Sequence, residues 1–82
     1  MSWNIDKYFS SKAAAYTALL TEKDGVHVLD NGIPPQVRSI ILADIDLVPD
    51  TTTPHVVHVK SFGHYDAVNC NATTEVTLIH LD

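Results

Sequence analysis

Apolar residues recur every three to four positions near the start of the chain and every second position along much of the rest. In residues 4–22, Ile5, Tyr8, Phe9, Lys12 or Ala13, Tyr16, Leu19 and Leu20 keep helical spacing. Ala13, Ala14, Ala15 and Ala18 add helix propensity. Asn4 suits an N-cap, Asp6 complements the helix dipole, and Gly25 offers a left-handed stop just after Lys23. The spacing therefore predicts one helix over about 4–22. Ser10-Ser11 is its weak point, because Ser11 can cap a shorter helix over 12–22 and leave 3–9 separate.

Beyond Gly25 the period falls to two. Val26-His27-Val28-Leu29 reads as a short strand, followed by the turn residues Asp30-Asn31-Gly32 and by Pro34-Pro35. From Arg38 to Val48, Ile41, Ala43, Ile45 and Leu47 alternate with Leu42, Asp44, Asp46 and Val48, which predicts a half-buried strand. A helix starting at Pro35 competes, since proline suits the first helical position, but it sets Asp44 beside the Ile40/Ile41 stripe. The strand is the preferred reading.

Pro49 to Pro54 is a proline-bounded loop. His55 to Phe62 is a valine-rich strand, Gly63 permits a bend or bulge, and Tyr65 to Val68 continue it or form another short strand. Asn69 to Thr73 reads as a polar turn, and Thr74 to Leu81 as a final strand. That strand is apolar on both faces, which suits a central position or an edge covered by another chain. A helix followed by consecutive strands gives α+β: an N-terminal helix packed on a mostly antiparallel sheet of four or five strands. No crossover of helical length after residue 25 is expected, so parallel pairing is excluded.

Size qualifies this picture. Eighty-two residues form a single domain, 1–82, with the helix at about 4–22 and a β-rich region at about 26–82. Such a chain buries only about 60–65% of its unfolded surface, so its core is thin and a partner subunit can supply missing burial. The 45% hydrophobic and 18% charged fractions fit a folded chain.

Charge divides the chain. Residues 1–40 are electrically neutral, whereas residues 41–82 hold six acids against Lys60 and carry the whole net charge of −5. Phosphate backbones repel such a surface, so no nucleic-acid partner is expected; a basic protein partner fits better. No apolar run is long enough for a membrane span or signal peptide. The single cysteine, Cys70, excludes an internal disulfide, and a reducing, cytoplasmic setting is expected. Nothing basic beside Cys70 in sequence activates it as a nucleophile. The sequon Asn71-Ala72-Thr73 then carries no glycan.

Five histidines stand out: His27, His55, His58, His64 and His80. Their spacing matches no standard metal motif, so a metal site must assemble across strands from His58, His64, His80, Asp44 and Asp46. In a strand, Asp44 and Asp46 share a face about 6.6 Å apart. His58 and His64 share a strand face with Val56, Lys60 and Phe62, about 20 Å from one another unless Gly63 turns the chain. Trp3, near the terminus, is a candidate exposed anchor, and with Asp44, Asp46, His58, Lys60 and Phe62 it makes up the candidate partner-binding set.

The chain lacks nucleophile-elbow, phosphate-loop and dinucleotide motifs, and no cofactor is expected. It reads as a small acidic interaction module, such as an accessory or inhibitor protein, rather than as an enzyme. Homodimers or higher oligomers are expected. The alternatives are a small metal- or ligand-binding domain or enzyme built on cross-strand histidines, and a structural subunit of an assembly such as a virion.

Overall fold

The computed structural model describes residues 2–21, 33, 35–66 and 68–81. They form an α+β arrangement in the order β1 (Ser2–Phe9), α1 (Lys12–Thr21), α2 (Pro35–Asp46), β2 (His55–Tyr65) and β3 (Cys70–His80). The sheet runs β1-β2-β3, and both pairings are antiparallel. The two helices lie over one face of it.

The expected helix over 4–22 is corrected at its front half. The first element is a strand, and the helix begins only at Lys12. Trp3 and Ile5, two residues apart, both enter the core, while Asn4, Asp6 and Tyr8 point the other way into solvent. Pairing with β2 from Ser2–His64 to Phe9–Val57 overrides the helical spacing of Ile5, Tyr8 and Phe9. Ser11 is the N-cap of α1: its hydroxyl accepts from the Ala14 N–H at 3.1 Å. Ala15 and Leu19, one helical turn apart, are buried.

The strand expected over Arg38–Val48 is also corrected: this segment belongs to α2, which starts at Pro35. Val37, Ile41 and Ile45, four residues apart, are buried, and Ile33 and Val48 extend the same stripe on either side. Alternation within 41–48 is a by-product of Ile41 and Ile45 lying on a face that Ala43 and Leu47 do not share. Leu47 is 79% exposed. The helix closes with a shared bond from Leu47 N–H to the Ala43 and Asp44 carbonyls, then Val48 N–H to Ile45 at 3.0 Å. Lys12 of α1 donates to the Asp46 and Val48 carbonyl oxygens at 3.1 and 2.9 Å and lies 3.8 Å from the Asp50 carboxylate. One ammonium group thus satisfies the end of α2 and ties the helices together.

Three strands are present among the described residues, not four or five. Losing 38–48 to a helix removes one. The expected strand Val26–Leu29 and the turn Asp30–Gly32 lie outside the described residues. The strand from His55 runs on to Tyr65 without a bend at Gly63. The turn expected at Asn69–Thr73 sits at 66–69 instead, where the Asp66 carboxylate accepts the N–H groups of Val68 and Asn69 at 2.8 and 2.7 Å. The last strand accordingly begins at Cys70, and among the described strands it is an edge, not central.

The core lies between the helices and the odd-numbered face of β1 and β2. Ile5, Leu19, Ile41, Ile45, Val57 and Val59 are wholly buried there, each contributing roughly 1.5–3 kcal/mol of transfer free energy. Val76 and Leu78 of β3 and Phe9 of β1 pack against its margin. One polar chain crosses this face through all three strands: Trp3 Nε1 donates to Ser61 Oγ at 3.0 Å, and Ser61 Oγ lies 3.1 Å from Thr74 Oγ1. The buried Ser61 is thereby satisfied. Gly63 faces Trp3 in the register, and a Cβ there would stand 2.7 Å from the indole ring and collide with the Asn71 carbonyl oxygen. Glycine serves close approach here, not a turn.

Candidate functional site

The face of the sheet turned away from the helices is open, and the registers fix its rows. Asp6, Lys60 and Glu75 lie side by side across the three strands; so do Tyr8, His58 and Thr77, and then Asn4, Phe62 and Thr73. Each row follows from side-chain alternation in antiparallel strands. Tyr8 is 63% exposed and Phe62 45% exposed, so two aromatic rings stand in solvent on a face that is polar apart from the Val56–Ile79 pair.

A stacked and hydrogen-bonded group on this face joins β1 to β2. The rings of Tyr8 and His58, directly opposite in the register, stack with centroids 4.2 Å apart and planes 8° from parallel. Asp6 Oδ1 lies 2.5 Å from His58 Nε2, two residues along β2 from its own register partner Lys60. The contact is an ion pair when the imidazole is protonated and a hydrogen bond when it is neutral. His58 is sheltered by these neighbours, with 18% of its side chain exposed against 59% for Asp6. Towards the hairpin end, Ser2 Oγ lies 3.3 Å from His64 Nδ1. There a broad depression of about 990 Å³ is bordered by Asn4, Phe62, His64, Asn71 and Thr73.

The structure places the sequence-predicted residues as follows. His58, Lys60, Phe62 and His64 share the open face, as strand alternation requires. Because β2 stays extended, His58 and His64 remain about 20 Å apart. His80 does not meet His58; it lies opposite His55, with Nδ1 3.3 Å from Thr53 Oγ1, while His55 Nδ1 donates to the Thr53 carbonyl at 2.8 Å. Asp44 and Asp46 sit on a helix, where a two-residue step turns them to different sides, so the shared strand face does not exist. Among the described residues no group of three or more His, Cys, Asp and Glu side chains is placed to hold a metal ion. His27 lies outside the described residues. Trp3 is 3% exposed and belongs to the core, which removes it as an exposed anchor. Cys70 is exposed at the start of β3.

Asp6 and Tyr8 are site residues that helical spacing over 4–22 conceals, since it assigns Asp6 to the helix dipole and Tyr8 to the apolar stripe. The signal that finds them is the alternation of Trp3 and Ile5 with Asn4, Asp6 and Tyr8. Among the described residues no helix is long and apolar enough to cross a membrane. The chain matches no protein-family model, no curated protein and no solved structure.

Proposed function

We propose that the protein is a non-enzymatic interaction module that binds a protein partner across the open face of its sheet. The observation that carries this reading is the pair of exposed rings, Tyr8 and Phe62, held on a regular three-stranded platform among paired polar groups. Exposed aromatic side chains on rigid elements provide large contact area at small entropic cost. Stacking on His58 fixes the Tyr8 ring before any partner arrives. The helices stabilise the platform from behind. The exposed thiol of Cys70 fits work in a reducing, cytoplasmic compartment.

Affinity capture from the source cell, comparing the wild-type chain with the Tyr8→Ser/Phe62→Ser double variant, tests the reading. A partner held by the wild type and reduced about tenfold or more by the variant supports it. Equal capture by both chains refutes it. A second copy of the chain is among the partners to be tested, because a thin core gains from shared burial. A strict monomer in sedimentation at high concentration removes self-association.

The Asp6–His58 contact favours one other reading. A carboxylate on Nε2 orients the imidazole and leaves Nδ1 to move a proton, as a small histidine-dependent enzyme requires. Turnover of an ester or phosphate substrate by the wild type, abolished in His58→Gln, would establish it.

A further inference from the structure

We infer that the edge of β3 turned away from β2, unpaired among the described residues, is a docking site for a basic, extended segment of a partner protein, which adds to the sheet as a fourth strand. This rests on the reading of the chain as an interaction module and names the chemistry of its partner.

β3 pairs with β2 along one side, and no other described strand lines its other side. An edge of this kind presents backbone N–H and C=O groups ready to pair. Natural edges are commonly blunted by lysine, proline or a bulge. The sequence of β3, CNATTEVTLIH, has no lysine, proline or glycine, and its register with β2 is unbroken over eleven residues. A strand that can accept a partner along its whole length is what this leaves.

A groove of about 350 Å³ marks the place. The end of α2 and the residues after it form one wall, with Asp44, Leu47 and Pro49; the other side is Thr74, Glu75 and Val76. Thr74 and Val76 face the helices, whereas Glu75 faces the open side, so the groove straddles the edge of β3. It combines apolar surface, chiefly Leu47, with carboxylates on both sides of the strand, Asp44 and Glu75. Asp46 and Asp50 border a separate depression beside α1, where Asp50 lies against Lys12, and add nothing to the groove. Lys60 lies opposite Glu75 on β2, on the side of Glu75 away from the edge, and among the described residues no lysine or arginine lines the groove itself.

Charge complementarity then selects the occupant. A fourth strand with alternating side chains places apolar residues beside Leu47, Val76 and Leu78 and basic residues beside Glu75. A second copy pairing through its own β3 brings another Glu75 and no lysine or arginine, so it lacks the complement.

The test uses the full chain and three synthetic octapeptides: alternating lysine and valine, alternating lysine and proline, and alternating glutamate and valine. Fluorescence anisotropy reads affinity, and amide hydrogen exchange locates binding. The lysine–valine peptide is expected to bind, to weaken with added salt and to slow exchange along β3. Asp44→Lys/Glu75→Lys is expected to weaken it about tenfold. Equal binding by the lysine–proline peptide, which cannot pair as a strand, overturns strand addition. So does the absence of binding by the lysine–valine peptide. So does full protection of the edge amides in the free chain, which would mean that another segment or copy already covers β3. Weakening by Tyr8→Ser/Phe62→Ser but not by the charge reversal moves the peptide to the open face: the edge proposal then fails while the broader reading stands.

Discussion

The indole nitrogen of Trp3 donates to the hydroxyl of Ser61 at 3.0 Å, wholly inside the core, tying the first strand to the second. Ser61→Ala removes the acceptor and leaves a buried N–H unpaired. The expected loss is about 1–3 kcal/mol in urea unfolding, with an altered near-ultraviolet dichroism band from the single tryptophan. Trp3→Phe removes the donor and also indole packing, and is expected to cost at least as much.

Gly63 makes room for that same ring. Gly63→Ala places a methyl group 2.7 Å from the indole and against the Asn71 carbonyl, so ring or backbone must shift. Destabilisation of roughly 1–3 kcal/mol and a shifted tryptophan emission maximum are expected. An unchanged spectrum and midpoint would show that the approach is looser than described.

Lys12 holds the end of α2 through two carbonyl oxygens on another element. Lys12→Met keeps much of the stem and removes the charge, at an expected cost of about 1 kcal/mol. Amide exchange should quicken first at Leu47 and Val48. Lys12→Arg should restore part of the loss, because a cation is retained at the helix end.

Asp66 governs the β2–β3 turn. The N–H groups of Asn69 and then Val68 stabilise its charged form and hold the carboxyl below its ordinary value of 3.8. A depressed folded pKa means stability that is present above the unfolded value and lost as pH falls through the folded one. The Val68 and Asn69 amide resonances should therefore titrate with a midpoint below 3.8. In Asp66→Ala the turn amides should exchange faster at neutral pH, and that difference should shrink in acid.

Class and much of the second half were legible in the chain. His55 to Phe62 is legible as a strand because three of its eight residues are valine and no helix signal competes, and alternation alone puts His58, Lys60 and Phe62 on one face. The first half was misread where two periods coexist. Ile5, Tyr8 and Phe9 fit a helix locally, but Trp3 and Ile5 fit a strand, and the deciding partner, β2, is remote in sequence. In 38–48, alternation over a few residues concealed a four-residue repeat that shows only when Val37 and Val48 are counted with Ile41 and Ile45. The Asp6–His58–Tyr8 group is not visible without the register, since it joins residues about fifty positions apart in the chain.

The central place of β2 has a temporal consequence. β3 follows β2 after a short turn, whereas β1 must find it across both helices. During synthesis, at about 5–20 residues per second, Trp3 and Ile5 emerge seconds before the strand that will shelter them. The hairpin can form on its own schedule, whereas β1 waits for β2, and in that interval its indole and isoleucine are what a chaperone would see.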